Sequence, residues 1–130
     1  MMKKEITNAE VPALIQAIDD LPKTEAKFSG KLLFAFSKNR GKLNSVMKHI
    51  EAARVKLIEQ YGKDDEERQG KAIDPEDKKS FSKFQEEYGA VLTEKSEVEF
   101  HTVKLDEFEK SGEMKPFDNM HLVFEYIIEE

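Results

Sequence analysis

KLLFAFSKNRGKLNSVMKHIEAARVKLIEQY, residues 31–61, is the stretch whose reading decides the architecture of this chain. Phe36, Leu43, Ile50 and Leu57 recur every seven residues, and Leu32, Met47 and Tyr61 fall four residues from members of that row. This is the period of an amphipathic helix. Lys31, Lys38, Lys42, Lys48, Glu51, Lys56 and Glu59 take the other side, where water solvates them. Such a helix is roughly 45 Å long at 1.5 Å per residue. Gly41 costs about 1 kcal/mol against alanine, and Asn39 and Arg40 interrupt the apolar seam at the same level, so a bend or break is expected over 39–41. Ser29 caps the start, and Gly62 is expected to close the end in a left-handed conformation.

A helix this long needs a cover, and residues 74–92 supply one. Asp74 reads as an N-cap, Pro75 as the first helical residue, and Glu76 and Asp77 as favourable charges in the first turn. Phe81, Phe84, Tyr88 and then Val91 or Leu92 mark its apolar side. The pair is expected to form an antiparallel hairpin, with 62–73 as an exposed, charged connection that is mobile over 63–69. Upstream, Thr7 and Glu10 have the spacing of a capping box, Val11, Leu14, Ile15, Ile18 and Leu21 form an apolar row, and Pro22 ends that helix. Downstream the period shifts to two. Val98 and Phe100 alternate with Glu97, Glu99 and His101, predicting a strand over 96–105 with a bulge at 101–103. Its partner is expected to be 3–7 or a short extended piece at 71–73. Asp118 is expected to cap a C-terminal helix that turns Met120, Val123, Tyr126 and Ile127 inward. The fold class is α+β, predominantly α, in one domain spanning 1–130: a long helical hairpin, a small β segment and short terminal helices.

With 130 residues and 38% hydrophobic content, the chain can build one modest core. It has no cysteine, which removes disulfides and thiolate metal ligands. No apolar run approaches the roughly 20 residues of a membrane span, and no signal-like segment follows Met1, so the expectation is a protein that does not engage membranes and stays in the compartment where it is made.

Charge is unevenly distributed. Residues 1–61 hold eleven Lys and Arg against seven Asp and Glu, while 62–130 hold ten against twenty. Lys31, Lys38, Arg40, Lys42 and Lys48 form a candidate basic face for nucleic acid or another acidic partner. The competing reading is that the acidic covering helix packs beside this face and neutralises it. Leu32, Leu33, Phe34, Ala35 and Phe36 are apolar in succession, so Leu33 and Phe34 are candidates for a partner or subunit interface.

Catalytic chemistry has no foothold. His49, His101 and His121 lie on different predicted elements, and none has metal-ligand spacing. Ser29, Gly30 and Lys31 lack the first glycine of a phosphate loop, and the acidic runs 64–67 and 106–109 lack the alternation and central glycine of a calcium loop. No catalytic, cofactor or metal residues are assigned, and the protein is expected not to be an enzyme. Phe28, Phe34 and Phe36 are candidates for an exposed stacking surface, but aromatics at helical spacing are more often core, and all three are expected there.

The run Phe36, Ser37, Lys38, Asn39, the segment EAARVKLIEQYG at 51–62, and the segments 74–92 and 97–105 occur in an order that resembles a family of small phage and prophage proteins from Gram-positive bacteria, itself without known function. The likeness covers roughly 5–130 and rests on packing and capping patterns. It implies an accessory protein in the host cytoplasm or associated with the virion, with no catalytic residues to carry over. Two roles follow as expectations. One is an interaction or assembly adaptor that binds a phage or host protein or self-associates. The other is a host-directed inhibitor or nucleic-acid-linked regulator that uses an acidic mimic surface or the basic helix face.

Overall fold

The N-terminal strand β1 (Met2–Thr7) pairs antiparallel with β4 (Lys95–Phe100), matching Lys4 to Val98 and Ile6 to Ser96. Alternation buries Ile6, Val98 and Phe100 and leaves Glu97 and Glu99 exposed. The first of the two expected strand partners is thus the one used. The computed structural model describes residues 1–65 and 70–130. Between the paired strands lie α1 (Glu10–Asp20), a 3-10 turn (Leu21–Lys23), α2 (Gly30–Tyr61), the short strands β2 (Lys63–Asp65) and β3 (Gly70–Ala72), and α3 (Lys78–Thr93). After β4 come β5 (Val103–Lys104), α4 (Leu105–Glu109), α5 (Met120–Tyr126) and β6 (Ile128–Glu129), and β6 returns parallel to β5. The molecule is mostly helical with small sheets.

α1 forms because Val11, Leu14, Ala17 and Ile18 share one face, and all four are buried. Its start is not the expected capping box. Thr7 belongs to β1, Ala9 occupies the cap without a side-chain bond, and Glu10 instead accepts a hydrogen bond from the Tyr126 hydroxyl at 3.1 Å. Pro22 stands in the 3-10 turn that ends the helix.

α2 begins as anticipated, with Ser29 Oγ accepting from the Leu32 amide at 3.3 Å. It then runs through Gly41 without a break. The polar interruption at Asn39 is a packing feature: its side chain is fully buried, Nδ2 donates to the His101 carbonyl at 2.9 Å, and Oδ1 accepts from the His101 amide at 2.7 Å. This clamp consumes both backbone groups of His101. The expected bulge at 101–103 is accordingly a termination: β4 stops at Phe100, and the chain re-enters extended structure as β5 against a different partner.

Gly62 ends α2 in an extended conformation (φ −86°), not a left-handed one. Glycine is required there for a different reason. A Cβ would run into the Ile58 carbonyl oxygen and lie 3.0 Å from that of Ala72. The connection at 62–73 contains the antiparallel pair β2 and β3, so the extended piece near Lys71 pairs within the connection and not with β4. The mobility expected over 63–69 falls in part on 66–69, outside the described residues. α3 starts three residues later than expected, at Lys78 instead of Pro75. Asp77 is its cap, with Oδ1 accepting from the Ser80 amide at 3.3 Å and Oδ2 from the Ser80 hydroxyl at 3.2 Å, while Asp74 closes a turn onto the Glu76 amide. Asp118 likewise does not cap α5; Asn119 occupies the cap position in a left-handed conformation (φ 65°) without a side-chain bond, and Leu122 joins Val123 and Tyr126 in the core.

The core gathers around α1, the first half of α2, the β1–β4 pair and the C-terminal elements. Phe28, Phe36 and Phe108 meet with ring centroids 5.3 to 6.5 Å apart, and Phe124 stands edge-on to Phe108 at 5.5 Å. Phe108 comes from α4, a helix inside what reads in sequence as a merely acidic run.

Candidate interaction surface

The apolar seam of α2 weakens along its length. Phe36, Leu43 and Ile50 are buried, but Leu57 is half-buried, and no side chain beyond Ile50 on this helix is fully covered. α3 packs against α2, with Glu87 accepting a hydrogen bond from Tyr61 and Tyr88 beside Arg54 in this second half, and among its sixteen residues none is fully buried. Phe81, Phe84, Tyr88, Val91 and Leu92 are each half-buried, with Phe84 stacked on Tyr88 at 5.6 Å. Only Tyr88, Val91 and Leu92 of these reach the main core. α2 and α3 with β2 and β3 thus form a two-helix unit, the arm, whose core contacts come from Tyr88, Val91 and Leu92, while among the described residues Phe81 and Phe84 do not reach the main core.

One side of the arm carries a groove of about 580 Å³ lined by Arg54, Val55, Ile58, Glu59, Gly70 and Lys71. Val55 keeps 42% of its surface exposed. The rim is charged and locally tied: Arg54 Nε donates to both Glu51 oxygens at 3.0 Å, and Lys71 Nζ donates to the Glu59 carbonyl at 3.4 Å. The guanidinium hydrogen bond holds the Glu51 carboxyl below its ordinary range. Sequence reasoning passed over Val55 and Ile58. The available signal was their position three residues apart and off the 36, 43, 50, 57 seam, which marks apolar residues that the covering helix does not use.

Leu33 and Phe34 stay exposed, at 47% and 56%. Adjacent helical residues point about 100° apart, so the two do not make one patch. Phe34 stands edge-on to the His101 ring at 6.1 Å, with Lys38 Nζ 5.5 Å from its centroid.

The candidate basic face divides in the same way. Arg40 grips Asp19 of α1 through Nε at 2.6 Å and Nη2 at 3.1 Å, a hydrogen-bonded pair that lowers the Asp19 pKa. Lys31 pairs with Glu107 of α4 at 3.0 Å. Lys42 donates to the Glu99 carbonyl, a neutral acceptor. Lys48 is exposed and, like Lys38, has no ion pair among the described residues. Neutralisation therefore comes from α1 and α4, not from the covering helix α3 as expected, because α3 lies against the other end of α2.

His49 and His121 are exposed, and among the described residues no group of three or more His, Cys, Asp or Glu could hold a metal ion. No helix among them is long and apolar enough to cross a membrane. Fold and surface together define a predominantly helical α+β protein with small sheets and a long helix over Gly30–Tyr61. Compared with protein-family models, with curated proteins and with solved structures, the chain matches none.

Proposed function

We propose that this is a non-enzymatic interaction or assembly adaptor, of the phage or prophage accessory kind implied by the order of its segments, working in the host cytoplasm or on the virion. The observation that carries the reading is the arm: α3 buries no residue fully, and α2 keeps Val55 and Ile58 in an open groove beside it. A helix pair with one shared interface leaves part of its apolar surface, here Val55 and the half-buried Ile58, for another surface to cover. The groove suits an apolar side chain or short helix from another protein, with Arg54, Glu59 and Lys71 at the rim to fix orientation.

A photo-crosslinking residue at position 55, in the protein expressed in induced lysogens, tests this directly. The expected result is one crosslinked phage or host protein that disappears with Ile58→Asp and persists with Leu33→Ser. Recovery of the same proteins by all three forms would overturn the reading. Light scattering after size exclusion distinguishes the occupant, with a 15.0 kDa monomer expected; a dimer dissociated by Ile58→Asp would instead make a second copy of this chain the partner.

A further inference from the structure

A line of cations runs along the exposed side of α2 and meets the rim of the arm groove, at Val55 and Glu59, only at its downstream end. At 100° per residue, Phe34, Lys38, Ser45, His49, Ala52 and Lys56 fall within about 60° of one another, and Lys42 and Lys48 flank them on either side. All but the half-buried Lys42 are exposed. The sequence has no Asp or Glu between Glu25 and Glu51. Glu51 is taken by Arg54, and Lys38, Lys42, Lys48 and Lys56 make no ion pair among the described residues. In a protein of net charge −6, whose other basic residues on this helix are matched to Asp19, Glu51 and Glu107, four lysines left without an ion pair form a local positive track. Ser45 and Ala52 leave its middle flat, so a chain can lie close to the helix. From position 34 to 56 it extends about 33 Å.

At its upstream end stands the Phe34 ring, more than half exposed, roughly perpendicular to the His101 ring and with Lys38 Nζ over one face. A linear array of cations beside an exposed aromatic face is the combination that holds phosphates along a backbone and stacks an unpaired base. An acidic protein would use the lysines but has no need of the ring. Duplex DNA would need a helix free to enter a groove, whereas this half of α2 is flanked by α1 and β4. We infer that the 34–56 face of α2 binds single-stranded nucleic acid, with Lys38, Lys42, Lys48 and Lys56 on phosphates and Phe34 under a base. This goes beyond the adaptor reading and does not depend on it.

The test is fluorescence anisotropy with a labelled single-stranded oligonucleotide of roughly 12 nucleotides, as DNA and as RNA, over about 20 to 200 mM salt. Four phosphate contacts predict a log–log salt slope near −3. Lys38→Glu with Lys48→Glu is expected to weaken binding at least about tenfold. The control Lys79→Glu with Lys83→Glu, which makes the same change in net charge on α3, is expected to change it less than about threefold. Phe34→Ala is expected to weaken single-strand binding about fivefold or more while leaving competition by polyglutamate unchanged. No binding at the lowest salt, equal losses in both double variants, or polyglutamate binding as tightly as nucleic acid with Phe34→Ala neutral, would each overturn the proposal. Duplex binding tighter than single-strand binding would do so as well. Circular dichroism of each variant shows whether it is folded, and these exposed positions carry no core contact.

Discussion

At the scale of single residues, Asn39 is the group on which most depends. Its amide satisfies both backbone groups of His101 from a position with no solvent exposure, so no water can replace it. Asn39→Ala is expected to lose about 2–3 kcal/mol and to expose the His101 amide to hydrogen exchange; a change under about 0.5 kcal/mol in urea titration would contradict the clamp. Tyr126 gives a pH signature. Burial first, and its hydrogen bond to Glu10 second, push its hydroxyl from 10.0 up to about 12. The folded state then keeps a proton that the unfolded chain releases, so the stabilisation is intact below pH 10 and is lost as pH rises from about 10 through about 12. The fall should amount to about 2–3 kcal/mol and should disappear in Tyr126→Phe, as followed by denaturant unfolding at stepped alkaline pH. Neither role is legible in the sequence, where Asn39 reads as an interruption and Tyr126 as one more inward apolar residue.

At the scale of elements, the continuity of α2 and the start of α3 make opposite predictions. Gly41 sits in an unbroken helix with open space around the place its Cβ would take. Gly41→Ala should therefore stabilise the protein by about 1 kcal/mol, raising its thermal midpoint; a hinge at 39–41 would make the same change destabilising. Asp77 pairs with Lys63 at 3.1 Å and caps α3, and the lysine hydrogen bond first, then the Ser80 amide, draw its carboxyl below the ordinary range. Asp77→Ala should cost about 1 kcal/mol, and Asp74→Ala distinctly less. Equal losses would return the cap to Asp74. Sequence placed both acids near a helix start, but only backbone geometry separates a turn residue from a cap, since both side chains accept amide protons two or three residues on.

At the scale of the whole molecule, the buried core and the half-covered arm should differ in local stability. α1 and the β1–β4 pair carry fully buried residues, and α3 carries none. Amides of Phe81 and Phe84 are expected to exchange by openings smaller than global unfolding, while those of Leu14 and Val98 report the global free energy. Equal protection throughout would show the arm to be as tightly held as the core. Binding of a partner in the groove should raise protection at Val55 and Ile58 first.

The sequence by itself determined the helices with strong apolar periodicity, the start of α2 at Ser29, the core positions Phe36, Leu43 and Ile50, and the alternating strand that pairs with the N-terminus. Local periodicity and capping carry that information, because a helix face or strand face is set by residues close in the chain. Only the tertiary structure decided that Asn39 joins α2 to β4, that β4 ends at Phe100, that α4 delivers Phe108 to the aromatic cluster, and that Asp19 and Glu107 neutralise Arg40 and Lys31 while other lysines stay unmatched. Those outcomes depend on which distant segments meet, and the spacing of residues along one element does not encode what stands across from it.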